Sequence, residues 1–186
     1  MIALVLAANV TPGDAVIVRS PSGDIDILVL FLAHDFEVLI DNAAGKSRKV
    51  IDITSSTLQD EQRKALIGMH AFSGDYYVSS IFKKGKTIVW KAMLRRAEFI
   101  EMFGVLGTMA YPSDQQTELI EKFTCALYGN HRIGSVNALR YKMFAEKFEK
   151  EGKILDLSLL APCKANLQLH LMQATMSPLF FAEQLA

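Results

Sequence analysis

The strongest constraint on the fold is a change of pattern near Thr54. Before this residue, β-branched runs at residues 14–19, 38–41 and 50–53 are separated by turn-forming residues and predict short strands. After it, apolar residues recur mainly at helical spacing. We therefore expect an α/β protein in which a small sheet with helices is followed by a helical C-terminal half.

The first part of the chain, residues 1–54, contains one segment whose structure the pattern leaves open. Residues 27–34 (ILVLFLAH) fit either a buried helix or a second strand, because periodicity alone does not separate the two. The runs at 38–41 and 50–53 predict a β-hairpin around the basic loop NAAGKSRK. No linker-like composition separates this part from residues 55–186, so we expect a single domain.

The mainly helical part, residues 55–186, carries several start and stop signals. The predicted helices run from a cap at Ser55 or Ser56 toward Gly74, from Lys86 to about Phe103, from Ser113 to Tyr128 with Gly129 as the stop, from Ser135 to about Lys150, and after Pro162 over KANLQLHLMQAT. Aromatic residues at helical spacing are predicted to lie in the core: Phe99, Phe103, Phe123, Tyr141 and Phe144.

Composition restricts the functional classes. The formal net charge is zero, so any attraction to nucleic acid has to come from a local patch. The two cysteines, Cys125 and Cys163, lack metal-binding spacing and indicate a reducing compartment, so we expect an intracellular protein of the nucleus or cytoplasm. The apolar start MIALVLAA is expected to be a packed helix rather than a signal, and no segment reaches the roughly 20 apolar residues that span a bilayer.

The most suggestive acidic motif is Asp24-x-Asp26, directly after a predicted strand. In open α/β sheets, ligands bind in the loops at the carboxyl ends of strands. Two carboxylates there supply the hard oxygen ligands that Mg²⁺ or Mn²⁺ prefers. The alternative is a solvated turn with Asp24 near a helix N-terminus, where negative charge is favourable. Motifs for zinc, nucleotide or serine-nucleophile chemistry are lacking, and His70 is expected to be a core residue.

The second suggestive block combines acidic, aromatic and basic residues. The sequence Gly-Asp-Tyr-Tyr around Asp75 precedes Lys83, Lys84 and Lys86, and Arg95 and Arg96 continue the positive charge along the next predicted helix. Lysines around a glycine allow ammonium and backbone N–H groups to approach phosphates together. The alternative interpretation is a solvated basic face with Trp90 in the core.

Taken in order, these segments resemble flap-endonuclease-like (PIN-like) proteins, a mostly uncharacterised group often associated with mobile elements. The similarity lies in RSPSGDIDILVL, EVLIDNAAGKSRKVIDI, ALIGMHAFSGDYYVSSIFKKGKTIVWK, SVNALRYKMFAEKFEK and LAPCKANLQLHLMQAT. The resemblance covers nearly the whole chain, and the HAFSG…KKGK block is its most specific part. It implies a Mg²⁺- or Mn²⁺-dependent nuclease ancestry and a glycine-lysine turn that holds a DNA backbone.

The resemblance assigns roles and also shows departures from the family pattern. Asp24 and Asp26 match the family's D-x-D acids as catalytic and metal-binding residues, and Asp75 lies one residue before the position of a third acid. An upstream E-A-D-like element is missing, so the chain is expected to be N-terminally truncated. The implied function is a divergent nuclease domain that binds DNA or RNA through Lys83, Lys84, Lys86, Arg95 and Arg96, with weak or no catalysis. The alternative is a non-catalytic protein-interaction remnant.

Overall fold

The computed structural model describes residues 16–20, 25–35, 37–42, 49–106, 108, 111–151 and 156–183. The predicted helix at MIALVLAA, the acid Asp24 and most of the basic hairpin loop lie outside the described residues. The described part is an α/β fold with a three-stranded mixed sheet near the N-terminus and a mostly helical remainder. Within it, no helix combines the length and the apolarity needed to cross a bilayer.

The sheet consists of β1 (Val16–Arg19), β2 (Val38–Asn42) and β3 (Lys49–Asp52). The middle strand, β2, pairs in parallel with β1 and antiparallel with β3. The predicted strand and hairpin are therefore confirmed within the described residues. The segment at 27–34, which the sequence pattern left as either a helix or a strand, belongs to a helix, α1 (Ile25–Ala33). A helix fits here because two adjacent parallel strands need a crossover connection and cannot be joined by a tight turn.

The remaining helices follow in chain order. They are α2 (Asp60–Phe72), α3 (Lys86–Met93), α4 (Ala97–Val105), α5 (Asp114–Leu127), α6 (Val136–Glu151) and α7 (Lys164–Glu183), with a 3₁₀ turn at Leu157–Leu159 before α7. The start predicted for α5 is confirmed, since the Ser113 hydroxyl accepts the Gln116 amide and the Gln116 side chain accepts the Ser113 amide. Gly129 follows the helix end with a positive φ of 79°, as a stop residue does.

The start predicted for α2 is wrong. The helix begins at Asp60 and its cap is Gln59, whereas Ser55 and Ser56 lie in the turn after β3. That turn is organised by Asp52, whose carboxylate accepts the Thr54 amide at 2.9 Å. Because the serines lie in the turn that follows the strand, the helix begins several residues later than their chemistry suggests.

The single helix predicted from Lys86 to about Phe103 is interrupted. Arg96 has an extended backbone (φ −145°, ψ 132°) and caps α4, so Arg95 and Arg96 lie in the turn between α3 and α4. The break lets α4 lie against α2. At this contact, a Cβ on Gly68 would come within 2.3 Å of the Phe103 carbonyl oxygen.

The last helix is longer than predicted. It continues beyond Thr175 and includes Pro178, although proline removes one helical hydrogen bond. The Ser177 hydroxyl donates a hydrogen bond to Asp75, which ties this part of α7 to the turn after α2. That tertiary contact helps hold the segment in place where local propensity favours an end.

Two clusters of buried side chains form the core. The smaller one joins α1 to the sheet through Leu30, Phe31, Val38 and Ile40. The larger one lies among the helices and contains Phe72. There the Phe72 ring meets the Phe103 and Phe123 rings edge to face, with centroids 5.5 and 5.8 Å apart.

The core prediction for the aromatic residues is correct for three and wrong for two. Phe99, Phe103 and Phe123 are buried in the helical cluster. Tyr141 and Phe144 lie on the outer face of α6 and are 74% and 40% exposed. Helical spacing identified a shared face correctly but could not show that this face points away from the core.

Candidate functional site

Asp26 and His70 form the centre of the candidate site. Asp26 lies in the first turn of α1, and α2 packs against α1 and carries His70. The His70 Nε2–H donates a hydrogen bond to Asp26 Oδ1 at 2.7 Å. His70 is 1% exposed, so its prediction as a core residue is confirmed, and its partner is one of the two acids of the D-x-D motif.

Asp75 organises the turn that follows α2. Its Oδ1 accepts the amides of Tyr77 and Val78, each at 2.8 Å, and its Oδ2 accepts the Ser177 hydroxyl. The turn needs glycine before it, because Gly74 has φ 100° and a Cβ there would lie 2.8 Å from Ser80 Cβ. Both Asp75 oxygens therefore serve the local structure.

Lys86 lies beside the turn that Asp75 organises. Its ammonium group donates a hydrogen bond to the Gly74 carbonyl. Burial lowers the pKa of Lys86, while the negative charges of Asp26 and Asp75 partly oppose this shift. Burial and the positive charge of Lys86 lower the pKa of His70, and Asp26 opposes that shift. The charges of these groups therefore act on one another.

The described residues do not fit the two-metal centre that the resemblance implies. Asp24 lies outside them, and among them no group of three or more His, Cys, Asp or Glu residues is arranged to hold a metal ion. Asp26 already accepts a hydrogen bond from His70, and Asp75 accepts three hydrogen bonds. A two-metal site needs several carboxylates free to coordinate. Metal binding by Asp24, Asp26 and Asp75 stays a prediction.

The five predicted phosphate-binding residues have different surroundings. Lys83, Arg95 and Arg96 are exposed, and Arg96 pairs with Glu98 at 3.0 Å across the surface. Lys84 donates a hydrogen bond to the Leu127 carbonyl at 2.9 Å, and its ammonium group lies over the Tyr128 ring, 4.3 Å from the centroid. Because the ammonium groups of Lys84 and Lys86 are held by protein atoms, the first three residues are the better placed for a ligand.

The turn between α2 and α3 also presents aromatic rings to solvent. Tyr76 is 85% exposed, and Tyr77 and Phe82 are each about half exposed. The two tyrosine rings meet edge to face with centroids 5.1 Å apart, and the Lys83 ammonium lies 5.2 Å from the centre of the Phe82 ring. Exposed rings beside an exposed cation can stack on bases while the cation meets phosphate.

Two features of this region were missed by the sequence analysis. Asp41 is a buried acid near the end of β2, where its carbonyl accepts the Ser20 amide at 3.0 Å and so joins the two parallel strands at their carboxyl edge. A groove of about 440 Å³, lined by side chains of α1, α2 and α3 that include Trp90 and Lys86, opens beside the site. The sequence did contain a signal for Asp41, since an aspartate within a β-branched run is unusual. It contained no signal for the groove, which depends on how the helices pack.

The pH dependence of stability provides a test of the packing behind this site. His170 Nε2–H donates to the Phe72 carbonyl at 2.8 Å, and burial lowers the pKa of His170. Below about pH 6.5 the unfolded chain therefore binds a proton more readily than the folded chain. We expect stability to be full at pH 7.5 and to fall toward pH 5.5, with a smaller fall in His170→Gln. Melting curves at both pH values check this, and equal falls in the two proteins would contradict it.

Comparison of the chain with protein-family models, curated proteins and solved structures finds no match in any of the three. The relation to flap-endonuclease-like proteins therefore rests on the sequence segments quoted above and stays a prediction. The structure itself establishes the coarser statement, a small mixed sheet near the N-terminus followed by helices.

Proposed function

We propose that this chain is a divergent, flap-endonuclease-like domain that binds nucleic acid and has weak or no metal-dependent cleavage activity. The observation that carries the proposal is the turn between α2 and α3, where exposed Tyr76, Tyr77 and Phe82 accompany exposed Lys83. Stacking rings with a nearby cation are the elements of single-strand binding. The resemblance points to the same class of ligand.

The basic residues offer contacts on both sides of α3. Lys83 precedes the helix, and Arg95 and Arg96 follow it. A helix of eight residues is about 12 Å long, which is short enough for one strand of nucleic acid to reach both groups. The Arg96–Glu98 pair is exposed, and such pairs hold their partners weakly, so phosphate can compete for the guanidinium.

The weak catalysis in this proposal follows from the engaged acids. Cleavage of a phosphodiester by two metals requires carboxylates that coordinate the ions, and Asp26 and Asp75 already have protein partners. The experiment is Mg²⁺- and Mn²⁺-dependent cleavage of single-stranded and flap DNA by the chain, beside the variant Asp24→Ala/Asp26→Ala. Robust cleavage that disappears in the variant would contradict weak catalysis. Cleavage equal in both proteins would come from a contaminant.

We expect the triple variant Lys83→Ala/Arg95→Ala/Arg96→Ala to weaken binding of single-stranded DNA. Each phosphate contact on a single strand contributes about 0.7 to the slope of log affinity against log salt, so the slope should become shallower by about 2. Fluorescence anisotropy of a labelled oligonucleotide from 50 to 200 mM salt, roughly the range in which this effect is large, measures the change.

The control removes the same charge from other elements. Lys49 on β3, Lys64 on α2 and Lys142 on α6 are exposed, so their triple alanine variant has the same net charge as the test variant. We expect this control to keep most of the wild-type slope. Equal losses in the two variants would mean that binding follows net charge alone, and the proposed surface would be wrong.

A second candidate function, a protein-interaction role, is favoured by one observation. Tyr141, Phe144 and Phe148 lie along one face of α6, and Phe148 is 61% exposed. The two phenylalanine rings are stacked, with centroids 5.8 Å apart. An exposed row of aromatic side chains is typical of surfaces that bind other proteins.

The two candidates differ in how they respond to changes on α6. If the wild-type chain self-associates in sedimentation experiments, loss of that self-association in Phe144→Ser/Phe148→Ser with unchanged affinity for single-stranded DNA would assign this face to protein contacts. Weaker DNA binding by the same variant would instead assign it to the nucleic-acid surface. Both residues are exposed, so the substitutions should leave the fold intact.

A further inference from the structure

A second pocket, which shares no lining residue with the groove described above, is lined mainly by basic side chains. Its volume is about 290 Å³, close to the lower limit of about 300 Å³ for small-molecule sites. Three elements meet there: the start of α4, the C-terminal half of α5 and the turn between α5 and α6. The basic residues of its lining are Arg96, Lys122, His131 and Arg132. The pocket therefore suits a small anion.

The charge balance of this pocket favours a dianion. Arg96, Lys122 and Arg132 supply permanent positive charges, and Glu98 supplies one negative charge. In the described part of the chain, neither Lys122 nor Arg132 forms an ion pair, whereas Arg96 pairs with Glu98 at 3.0 Å. The excess of two positive charges, not counting His131, matches a phosphate monoester, which carries about −1.5 to −2 near pH 7. A single carboxylate would leave one of the two charges without a counterpart.

The apolar residues of the pocket are more deeply buried than the basic ones, so they form its floor. Phe99 and Ala126 belong to the helical core, and Ile133 is half-buried. Low-dielectric walls around charges of one sign focus the electrostatic field in a cleft. The Arg96 guanidinium lies 5.6 Å from the centroid of the Phe99 ring, so the floor also positions one of the cations.

The turn that carries Arg132 is held by contacts within the pocket wall. Asn130 Oδ1 accepts the backbone amides of Arg132 and Ile133 at 3.1 and 2.9 Å. A Cβ on Gly134 would lie 3.9 Å from Lys122 Cγ, so the turn runs along the stem of the Lys122 side chain. These contacts position two of the cationic residues before a ligand arrives, which reduces the cost of ordering them on binding.

We propose that this pocket binds the phosphate dianion of a small phosphomonoester, with Lys122 and Arg132 as its principal contacts. The planar guanidinium of Arg132 can donate two parallel hydrogen bonds to phosphate oxygens, and Lys122 supplies a compact charge. Arg96 can join them because its exposed pair with Glu98 is weak. The site does not depend on the nucleic-acid binding proposed above, since Lys122 and Arg132 are not part of that surface.

The phosphate could belong to a nucleoside monophosphate or to a sugar phosphate, and calorimetry of the full chain with AMP, ribose 5-phosphate and adenosine distinguishes them. We expect saturable binding of AMP and none of adenosine, which lacks the phosphate. Tighter binding of AMP than of ribose 5-phosphate would assign the ligand to nucleotides, and equal binding would assign it to phosphomonoesters in general. Adenosine binding as tight as AMP binding, or no saturable binding of either phosphate, would overturn the proposal.

In Lys122→Gln/Arg132→Gln, the affinity for AMP should fall at least ~10-fold, because charge-assisted hydrogen bonds to the phosphate are lost. Both side chains are exposed, so the substitutions should leave the fold intact. The control Lys49→Gln/Lys64→Gln removes the same charge from β3 and α2 and should keep the wild-type affinity. Equal losses in the two variants would mean that AMP binding follows net charge. Unchanged affinity in a folded Lys122→Gln/Arg132→Gln would place AMP elsewhere, and either result would overturn the proposal.

Discussion

Phe72→Ala should lower the free energy of unfolding by about 3–5 kcal/mol, because it removes a ring from the centre of the helical core. The ring is fully buried and contacts Phe103, Phe123 and His170 edge to face. Removing the ring leaves a cavity among α2, α4, α5 and α7, and these helices could fill it only by moving closer together. Domains are typically stable by about 5–15 kcal/mol, so the variant should lose much of its margin.

Urea denaturation monitored by circular dichroism measures the effect of Phe72→Ala. The matched control is Phe148→Ala, which removes the same ring from the exposed face of α6 and should change stability by less than about 0.5 kcal/mol. Similar losses in both variants would mean that the helical core is not centred on Phe72.

Gly68→Ala should lower stability by about 1–3 kcal/mol or more, even though alanine is the better helix former. The added methyl group would lie 2.3 Å from the Phe103 carbonyl oxygen and 3.0 Å from Leu106 Cβ. A carbonyl is part of the backbone and cannot rotate away, so α2 and α4 would have to separate. The contact between these helices is the most extensive one between elements of the described fold.

Gly104→Ala is the control for this effect because it makes the same change on α4, the facing helix. A Cβ there would find its nearest neighbour, Lys64 Cβ, at 3.7 Å, which is ordinary contact. We expect this variant to be neutral or more stable by up to about 1 kcal/mol through helix propensity. Thermal melting of both variants decides the matter; a stable Gly68→Ala would contradict the close approach of the two helices.

Sequence reasoning predicted those parts of the fold that depend on local chemistry. The box that caps α5 at Ser113 and the stop at Gly129 follow from residues within a few positions of each other, and the hairpin follows from two β-branched runs close together in the chain. It failed where tertiary packing decides. The break at Arg96 accompanies the packing of α4 against α2, and the helix through Pro178 accompanies the contact of Ser177 with the Asp75 turn. The outward direction of Tyr141 depends on where the rest of the chain lies.

The candidate site was predicted as a set of residue types and not as a set of contacts. The sequence singled out Asp26, Asp75 and Lys86, and in the structure the negative charges of both acids oppose the lowering of the Lys86 pKa by burial. Pairing of Asp26 with His70 is a long-range contact that spacing could not show. Nor could the sequence show that the Ser177 hydroxyl, in the C-terminal half of α7, donates a hydrogen bond to Asp75.

The central claim is nucleic-acid binding through exposed cations and rings without a required metal. The most direct measurement is the affinity of the wild-type chain for a labelled single-stranded oligonucleotide, taken across salt concentrations in EDTA and again in Mg²⁺. Three phosphate contacts, by Lys83, Arg95 and Arg96, predict a slope of log affinity against log salt of about −2, the same in both solutions. An affinity that does not change with salt, or binding that is lost in EDTA, would contradict the account.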